Sequence, residues 1–96
     1  MAVTAHFQLF SQDEWAAIEN DLALAPRQAD ILKAICQGMS DKQIAWELGI
    51  AVPTVRMHVR RLRRKLDAAD RVELVLRVFM VLRTLVRHDV ASHSAS

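Results

Sequence analysis

The chain has 96 residues, enough for one small core but too few for an enzyme domain beside a binding domain. It contains only two glycines and two prolines and no run of alternating β-branched residues, so we predict an all-α fold. The formal net charge is only +2, yet residues 1–25 carry four acids and no lysine or arginine, whereas residues 53–66 carry six cations and no acid.

The first predicted helix spans about residues 12–22. Ser11 with Glu14 forms a capping box, and Phe10 with Trp15 has the spacing of a hydrophobic staple. The apolar residues of the helix fall on one side and its acids largely on the others, which is typical of an amphipathic helix. We therefore predict a helix whose outer faces are acidic.

Two more helices follow, each bounded by its own signals. Pro26 suits the first turn of a second helix, which Gly38 ends. Ser40 and Gln43 form another capping box at the start of a third helix, and Gly49 terminates that helix because glycine adopts left-handed backbone angles easily.

A fourth, basic helix over about residues 53–66 begins so soon after Gly49 that it must pack on the third helix at a steep angle. Ala45 is small enough for the two helices to cross, and Ile50 and Val55 close the corner, so the segment predicts a helix-turn-helix. An ordinary helical hairpin is the alternative. The basic helix is apolar on one side and cationic on the others, which suits a polyanion such as nucleic acid, although a solvated basic face would have the same pattern.

A fifth helix is predicted from Arg71 to about His88, with two apolar stripes. The stripe expected to pack on the helix-turn-helix comprises Val72, Val75, Leu76, Phe79, Leu82 and Val86. The second stripe lies nearly opposite and comprises Leu74, Val78, Val81 and Leu85. A surface helix needs only one apolar face, so something must cover the second stripe. The two candidates are a second copy of the chain, which we favour, and the N-terminal helix of the same chain.

Three segments resemble the LuxR-type, GerE-like DNA-binding domain, and the similarity covers roughly residues 24–80. These segments are Pro26-Arg27, Gly38-x-Ser40-x-Lys42-x-Ile44-Ala45 and Thr54-Val55-Arg56-x-His58-Val59. Two positions depart from the family pattern. Gln28 stands where the family usually has Glu, so a local ion pair is lost or transferred to Asp30. Ala51 replaces a serine that would cap the basic helix, and the loss of such a cap typically costs ~1 kcal/mol.

The resemblance implies a transcriptional regulator that binds double-stranded DNA, with the basic helix in the major groove. Base edges would be read by Arg56, Met57 and Arg60, since arginine can donate two hydrogen bonds to guanine and methionine can contact a thymine methyl group. Phosphates would be contacted by Lys42, Thr54, His58, Arg61, Arg64 and Lys65. In the family the last helix pairs two protomers, so the resemblance assigns dimerisation to Leu74, Val78, Val81 and Leu85. A homodimer would hold two recognition helices about one turn of DNA apart.

Signals of other functions are absent from the sequence. It has no nucleophile motif, no glycine-rich phosphate loop and no ligand partner spaced to bind a metal with His58, so we predict no catalysis, metal or cofactor. The lone Cys36 fits a buried thiol. The start does not have the pattern of a signal peptide, and no apolar run approaches the ~20 residues of a membrane span. We expect a cytoplasmic protein that does not bind membranes.

The expected fold is a helix-turn-helix bundle of four helices plus an N-terminal amphipathic helix. We predict an acidic helical extension over residues 1–25, a DNA-binding domain with a dimerisation helix over residues 26–88, and a disordered tail over residues 89–96. The extension could contact a protein partner or compete with DNA for the basic face. One alternative function is a protein-interaction module with the same fold. The other is the promoter-recognition domain of a sigma factor, against which the start at Met1 argues.

Overall fold

A computed structural model describes residues 9–94 of the chain, with side chains described as far as residue 87. This part of the chain is all-helical, as predicted, and contains no strand. The helices are α1 (Gln12–Leu22), α2 (Pro26–Cys36), α3 (Asp41–Leu48), α4 (Val52–Lys65) and α5 (Arg71–Ser94). No described helix is both long enough and apolar enough to cross a membrane.

Both predicted capping boxes are present, and they explain why α1 and α3 begin where they do. The N–H of Ser11 donates to Oε1 of Glu14 at 2.8 Å, and the N–H of Glu14 donates to Oγ of Ser11 at 3.1 Å. Ser40 and Gln43 exchange the same two hydrogen bonds at 2.8 and 3.2 Å. Each box satisfies two backbone N–H donors that a helix start would otherwise leave without a partner.

The start of α2 accommodates its departure from the family pattern. Oε1 of Gln28 accepts a hydrogen bond from the N–H of Ala25 at 3.2 Å, which keeps half of a capping box without a capping hydroxyl. Arg27 pairs instead with Asp30, at 3.6 Å between Nη1 and Oδ2. The ion pair is therefore transferred to Asp30, one of the two outcomes expected from the sequence.

The corner between α3 and α4 has the predicted helix-turn-helix chemistry. Gly49 adopts the left-handed region at φ 66°, and the N–H of Ile50 donates to the carbonyl of Ala45 at 3.0 Å. Ala45 and Val55 are buried where the two helices meet. Because the left-handed residue reverses the chain within a few residues, α4 leaves the corner across α3 and presents its cations away from the core.

One core draws side chains from all five helices. Its largest fully buried members are Ile18, Ile31, Leu32, Ile44, Val55, Leu62, Leu74 and Val78. Helix α1 is part of this core, since Trp15 and Ile18 are buried in it and α1 packs against α5. The ring of Phe10, just before α1, lies 4.7 Å from the ring of Phe79 in α5, measured between centroids. Glu19 of α1 also pairs with Lys33 of α2 at 3.3 Å.

The two apolar stripes of α5 are placed differently from the prediction, although Val75 and Leu82 of the first stripe are partly buried against the core as expected. Leu74 and Val78, predicted to pair protomers, are both 0% exposed within the single chain, so they cannot form a dimer interface. Val72 and Leu76, predicted to pack inward, are 70% and 56% exposed. That prediction was wrong because periodicity identifies two stripes but not which of them meets the core. Helix α1 covers the stripe of Leu74, as the alternative from the sequence proposed.

The outer part of the same stripe is less deeply covered. Val81 and Leu85 are partly buried and line a cleft of about 370 Å³ together with Leu22 of α1. The described helix α5 also continues to Ser94, past the end predicted near His88. The expected disordered tail over residues 89–96 is thus helical as far as Ser94, since neither glycine nor proline occurs after Arg71 to end the helix. The last two residues of that tail lie outside the described part.

Candidate nucleic-acid interface

Helix α4 buries one face and exposes the others. Val55 and Leu62 are fully buried, and Val59 is partly buried beside them. This face anchors α4 against α2, α3 and α5. The predicted apolar stripe is confirmed, and its burial fixes which side of the helix remains available to a ligand.

Met57, Arg60 and Arg64 form the outer face of α4. They recur at intervals of three and four residues, which places them on one side of a helix. Arg60 and Arg64 are exposed, whereas Met57 is partly buried. Arg61 is also exposed next to this face. Within residues 9–94, no ion pair engages these three arginines, so their guanidinium groups are available to an anion.

Arg56 lies on the flank of that face and has a protein partner. Its Nε atom is 3.5 Å from Oδ2 of Asp41, the first residue of α3. Oδ1 of the same carboxylate is 2.6 Å from Nη1 of Arg71, and Nη2 of Arg71 donates to the carbonyl of Met39. Sequence reasoning did not assign Asp41 or Arg71 to the site, because no local pattern relates residues on three different helices.

The predicted phosphate contacts fall into two groups. Lys42 and the two arginines Arg61 and Arg64 are exposed, whereas Thr54 and His58 are partly buried on the flank of α4. Nδ1 of His58 is buried and has no hydrogen-bond partner in the described residues. Any contact between His58 and a phosphate must therefore come from its other ring nitrogen, Nε2.

Lys65 has a hydrogen bond within the described part of the chain. Its ammonium donates to the carbonyl of Ala23, at the end of α1, with an N–O distance of 3.0 Å. That carbonyl belongs to the residue that closes α1 in the left-handed conformation, at φ 51°. A cation at the carboxyl end of a helix is favourable because carbonyl groups there are unpaired. Lys65 thus has a contact with the end of α1 that the sequence did not predict.

Arg63, the remaining cation of α4, also has an internal role. Its guanidinium donates to the carbonyls of Ala68, at 3.5 Å, and of Ala69, so it closes the turn between α4 and α5. This turn includes Asp67 in the left-handed region at φ 54°. Of the six cations in α4, two therefore serve the fold. The other four, together with Lys42, form a cationic surface that we call the α4 face: Lys42, Arg56, Arg60, Arg61 and Arg64.

The described residues give no sign of a metal site or of a reactive thiol. They contain no group of three or more His, Cys, Asp or Glu side chains that could hold a metal ion. Burial raises the pKa of the Cys36 thiol to about 12, so the thiol stays protonated near neutral pH. The α4 face is thus the main concentration of chemically distinctive groups in this part of the chain.

Comparison with known protein families connects this geometry to a class of proteins. The family model GerE, described as bacterial regulatory proteins of the luxR family, matches residues 22–78, more than half of the chain. The matched segment includes α2, α3, α4 and the first third of α5. This chain belongs to the luxR family. The resemblance noted in the sequence is thereby confirmed.

Several curated regulators are similar to this luxR-family domain. The nitrate/nitrite response regulator NarL of Escherichia coli (strain K12) is 44% identical over 59 residues, which are 60% of this chain and 27% of NarL. NarP of the same organism is 47% identical over 49 residues, 51% of this chain and 23% of NarP. The glycerol metabolism activator of Pseudomonas putida is 40% identical over 68 residues, 69% of this chain and 31% of that protein. The matches thus span less than a third of each relative. No solved structure matched significantly.

The matched family is one of bacterial regulatory proteins and not a class of enzymes. The matched segment begins at residue 22, the last residue of α1. Helix α1 is therefore an addition to the matched luxR-family domain, although its side chains share the same core.

Proposed function

We propose that this luxR-family domain binds specific sequences of double-stranded DNA as a transcriptional regulator, with α4 in the major groove. The observation that carries the proposal is the α4 face, whose five cations are exposed, whereas Val55 and Leu62 on the other side of α4 are fully buried. Arg56, Met57 and Arg60 are proposed to read base edges. The phosphate contacts are proposed to come from Lys42, Thr54, His58, Arg61 and Arg64, because such contacts fix the position of a helix without reading sequence.

We further propose that two copies pair through the exposed face of α5. This face, which we call the α5 outer face, comprises Val72, Leu76, Phe79 and Val86, which are between 41% and 70% exposed. A row of large apolar side chains on a monomer surface is typical of an interface. Pairing two protomers about a two-fold axis would present two α4 helices to inverted half-sites about one DNA turn apart.

Selection of bound sites from random DNA tests the function directly. We expect a preferred sequence with two inverted half-sites. Arg60→Ala should lose ~1–3 kcal/mol of discrimination at one base position in each half-site, because arginine reads guanine through two hydrogen bonds. Equal loss of specific and nonspecific binding by Arg60→Ala would contradict its base-reading role.

Salt dependence separates the phosphate contacts from the cations with internal roles. The slope of log affinity against log salt is about −0.9 per neutralised phosphate. Arg64→Ala should therefore make the slope shallower by about 0.9, whereas the matched change Lys65→Ala should leave it unaltered, since Lys65 is held at α1. If the wild-type chain bound no duplex DNA at low salt, the alternative of a protein-interaction module would replace the proposed function.

A further inference from the structure

Asp41 connects three helices through one carboxylate group. It is the first residue of α3, and its two oxygens lie near Arg56 of α4 and Arg71 of α5, at 3.5 and 2.6 Å. Arg71 is itself held at a second point, since its guanidinium also donates to the carbonyl of Met39. The shorter and less exposed of the two pairs therefore fixes the carboxylate, and the longer pair reaches out to the DNA-facing helix.

The carboxylate of Asp41 does not cap α3. Ser40 provides the cap of α3, because its hydroxyl accepts the N–H of Gln43 at 3.2 Å. The Asp41 side chain is 27% exposed, whereas that of Arg56 is 60% exposed. Its partners are thus two arginines, of which only Arg56 projects toward solvent on the α4 face.

We propose that Asp41 is a positioning residue for Arg56, holding the guanidinium at Nε so that the two terminal amino groups point into the major groove. Recognition of guanine by arginine uses two N–H donors side by side, and an ion pair at Nε leaves the terminal donors of the guanidinium free. A side chain oriented before binding loses less rotational freedom on the DNA than a free one. Arg71 completes the arrangement by orienting Asp41 from the α5 side. This inference rests on the proposed function, since it requires Arg56 to read a base.

The opposite effect is physically possible with the same contact. Asp41 could compete with DNA for Arg56, in which case the ion pair must break before the base is bound. Removing the carboxylate would then tighten specific binding. Positioning predicts weaker discrimination, so the sign of the change distinguishes the two.

The experiment uses the full chain and the variant Asp41→Asn, which keeps the size of the side chain and removes its charge. The base pair that Arg56 reads is first located with Arg56→Ala. At that base pair we expect Asp41→Asn to reduce discrimination about three- to fivefold, the effect of losing one partly exposed ion pair. Discrimination at the other base pairs and nonspecific affinity should stay the same or rise slightly, since a negative charge near DNA is lost.

Asp13→Asn is the matched control, because Asp13 lies in the first turn of α1, as Asp41 lies in the first turn of α3, but the side chain of Asp13 is exposed. This variant should leave discrimination at every base pair unaltered. Discrimination is a ratio of the affinities of one protein preparation for two DNA sequences. A smaller folded fraction in any variant therefore cancels, and partial unfolding does not obscure the result.

A double-mutant cycle tests whether Asp41 acts through Arg56. In a chain that already carries Arg56→Ala, Asp41→Asn should cause no further loss at that base pair. An additive loss in the double variant, or unchanged or stronger discrimination in Asp41→Asn alone, overturns the positioning role while the proposed function stands. Absence of any sequence preference in the wild-type chain overturns the proposed function and this inference with it.

Discussion

Replacing Leu74 or Leu76 by alanine tests which face of α5 belongs to the core. Leu74 is 0% exposed and contributes to the cluster that also includes Ile18 of α1, so Leu74→Ala leaves a cavity. Such changes typically cost about 2–5 kcal/mol in the free energy of unfolding, out of a total of about 5–15 kcal/mol for a domain. For a domain of this size, the lower limit already corresponds to a decrease of about 10 °C in melting temperature.

Leu76→Ala removes the same atoms from a side chain that is 56% exposed. We expect the monomer to lose no more than about 0.5 kcal/mol of stability, the usual range for surface changes. The dissociation constant of the proposed dimer, in contrast, should increase, because Leu76 lies in the α5 outer face. The two substitutions are chemically identical, so any difference between them reports on position alone.

Urea unfolding at submicromolar protein, followed by fluorescence, measures the first effect. Trp15 is buried and Trp46 is 87% exposed, so the change in fluorescence on unfolding should come mainly from Trp15 in the core. Sedimentation at tens of micromolar measures the second effect. The assignment of the two faces is refuted if Leu76→Ala destabilises the dilute protein as much as Leu74→Ala does, or if Leu74→Ala leaves the unfolding midpoint unaltered.

Three further predictions concern local features. Ala51 is the N-cap of α4 and has no side chain that could accept a hydrogen bond there. Ala51→Ser should therefore raise the free energy of unfolding by ~1 kcal/mol in a urea titration. An unaltered value would show that a serine hydroxyl at this position does not cap α4. Ala23 has φ 51°, so Ala23→Gly should stabilise the chain by about 0.5–1 kcal/mol in the same assay, whereas a loss would contradict the strain at this position. Burial raises the pKa of Cys36 from 9.0 to about 12, so iodoacetamide at pH 8 should alkylate the native chain far more slowly than the chain in urea. Equal alkylation rates in the two states would contradict the burial of Cys36. Because the thiol ionises at lower pH in the unfolded chain than in the folded chain, the free energy of unfolding should decrease above about pH 9.

Features that depend on neighbouring residues were predicted well from the sequence. The bounds of α1 and α3 followed from capping boxes, in which the interacting residues are three positions apart. The corner between α3 and α4 was predicted from Ala45, Gly49 and Val55, which lie within one short segment of the chain. The sequence also predicted that α4 has no side-chain cap at Ala51, and the structure shows none. In each case the residues that determine the feature lie close together in the sequence.

Features that depend on distant residues were not predictable in this way. The hydrogen bond from Lys65 to Ala23 joins residues 42 positions apart, and the pair of Arg71 with Asp41 joins residues 30 apart. The contacts of Lys65 with α1 and of Arg63 with the turn before α5 were therefore not expected from the sequence. The placement of the two stripes of α5 has the same origin, since the packing of α1 decides which stripe is covered.

The packing of α1 against α5 also bears on the spacing of DNA sites. A bare α5 would offer two apolar faces nearly opposite each other, and a second copy could pair through either of them. With Leu74 and Val78 covered by α1, the α5 outer face is the more exposed of the two apolar faces in the described part of α5. The choice of face sets the rotation between two protomers, and that rotation sets the separation of their α4 helices. In the proposed dimer, helix α1 would therefore influence the distance between half-sites, because it determines which face of α5 can pair.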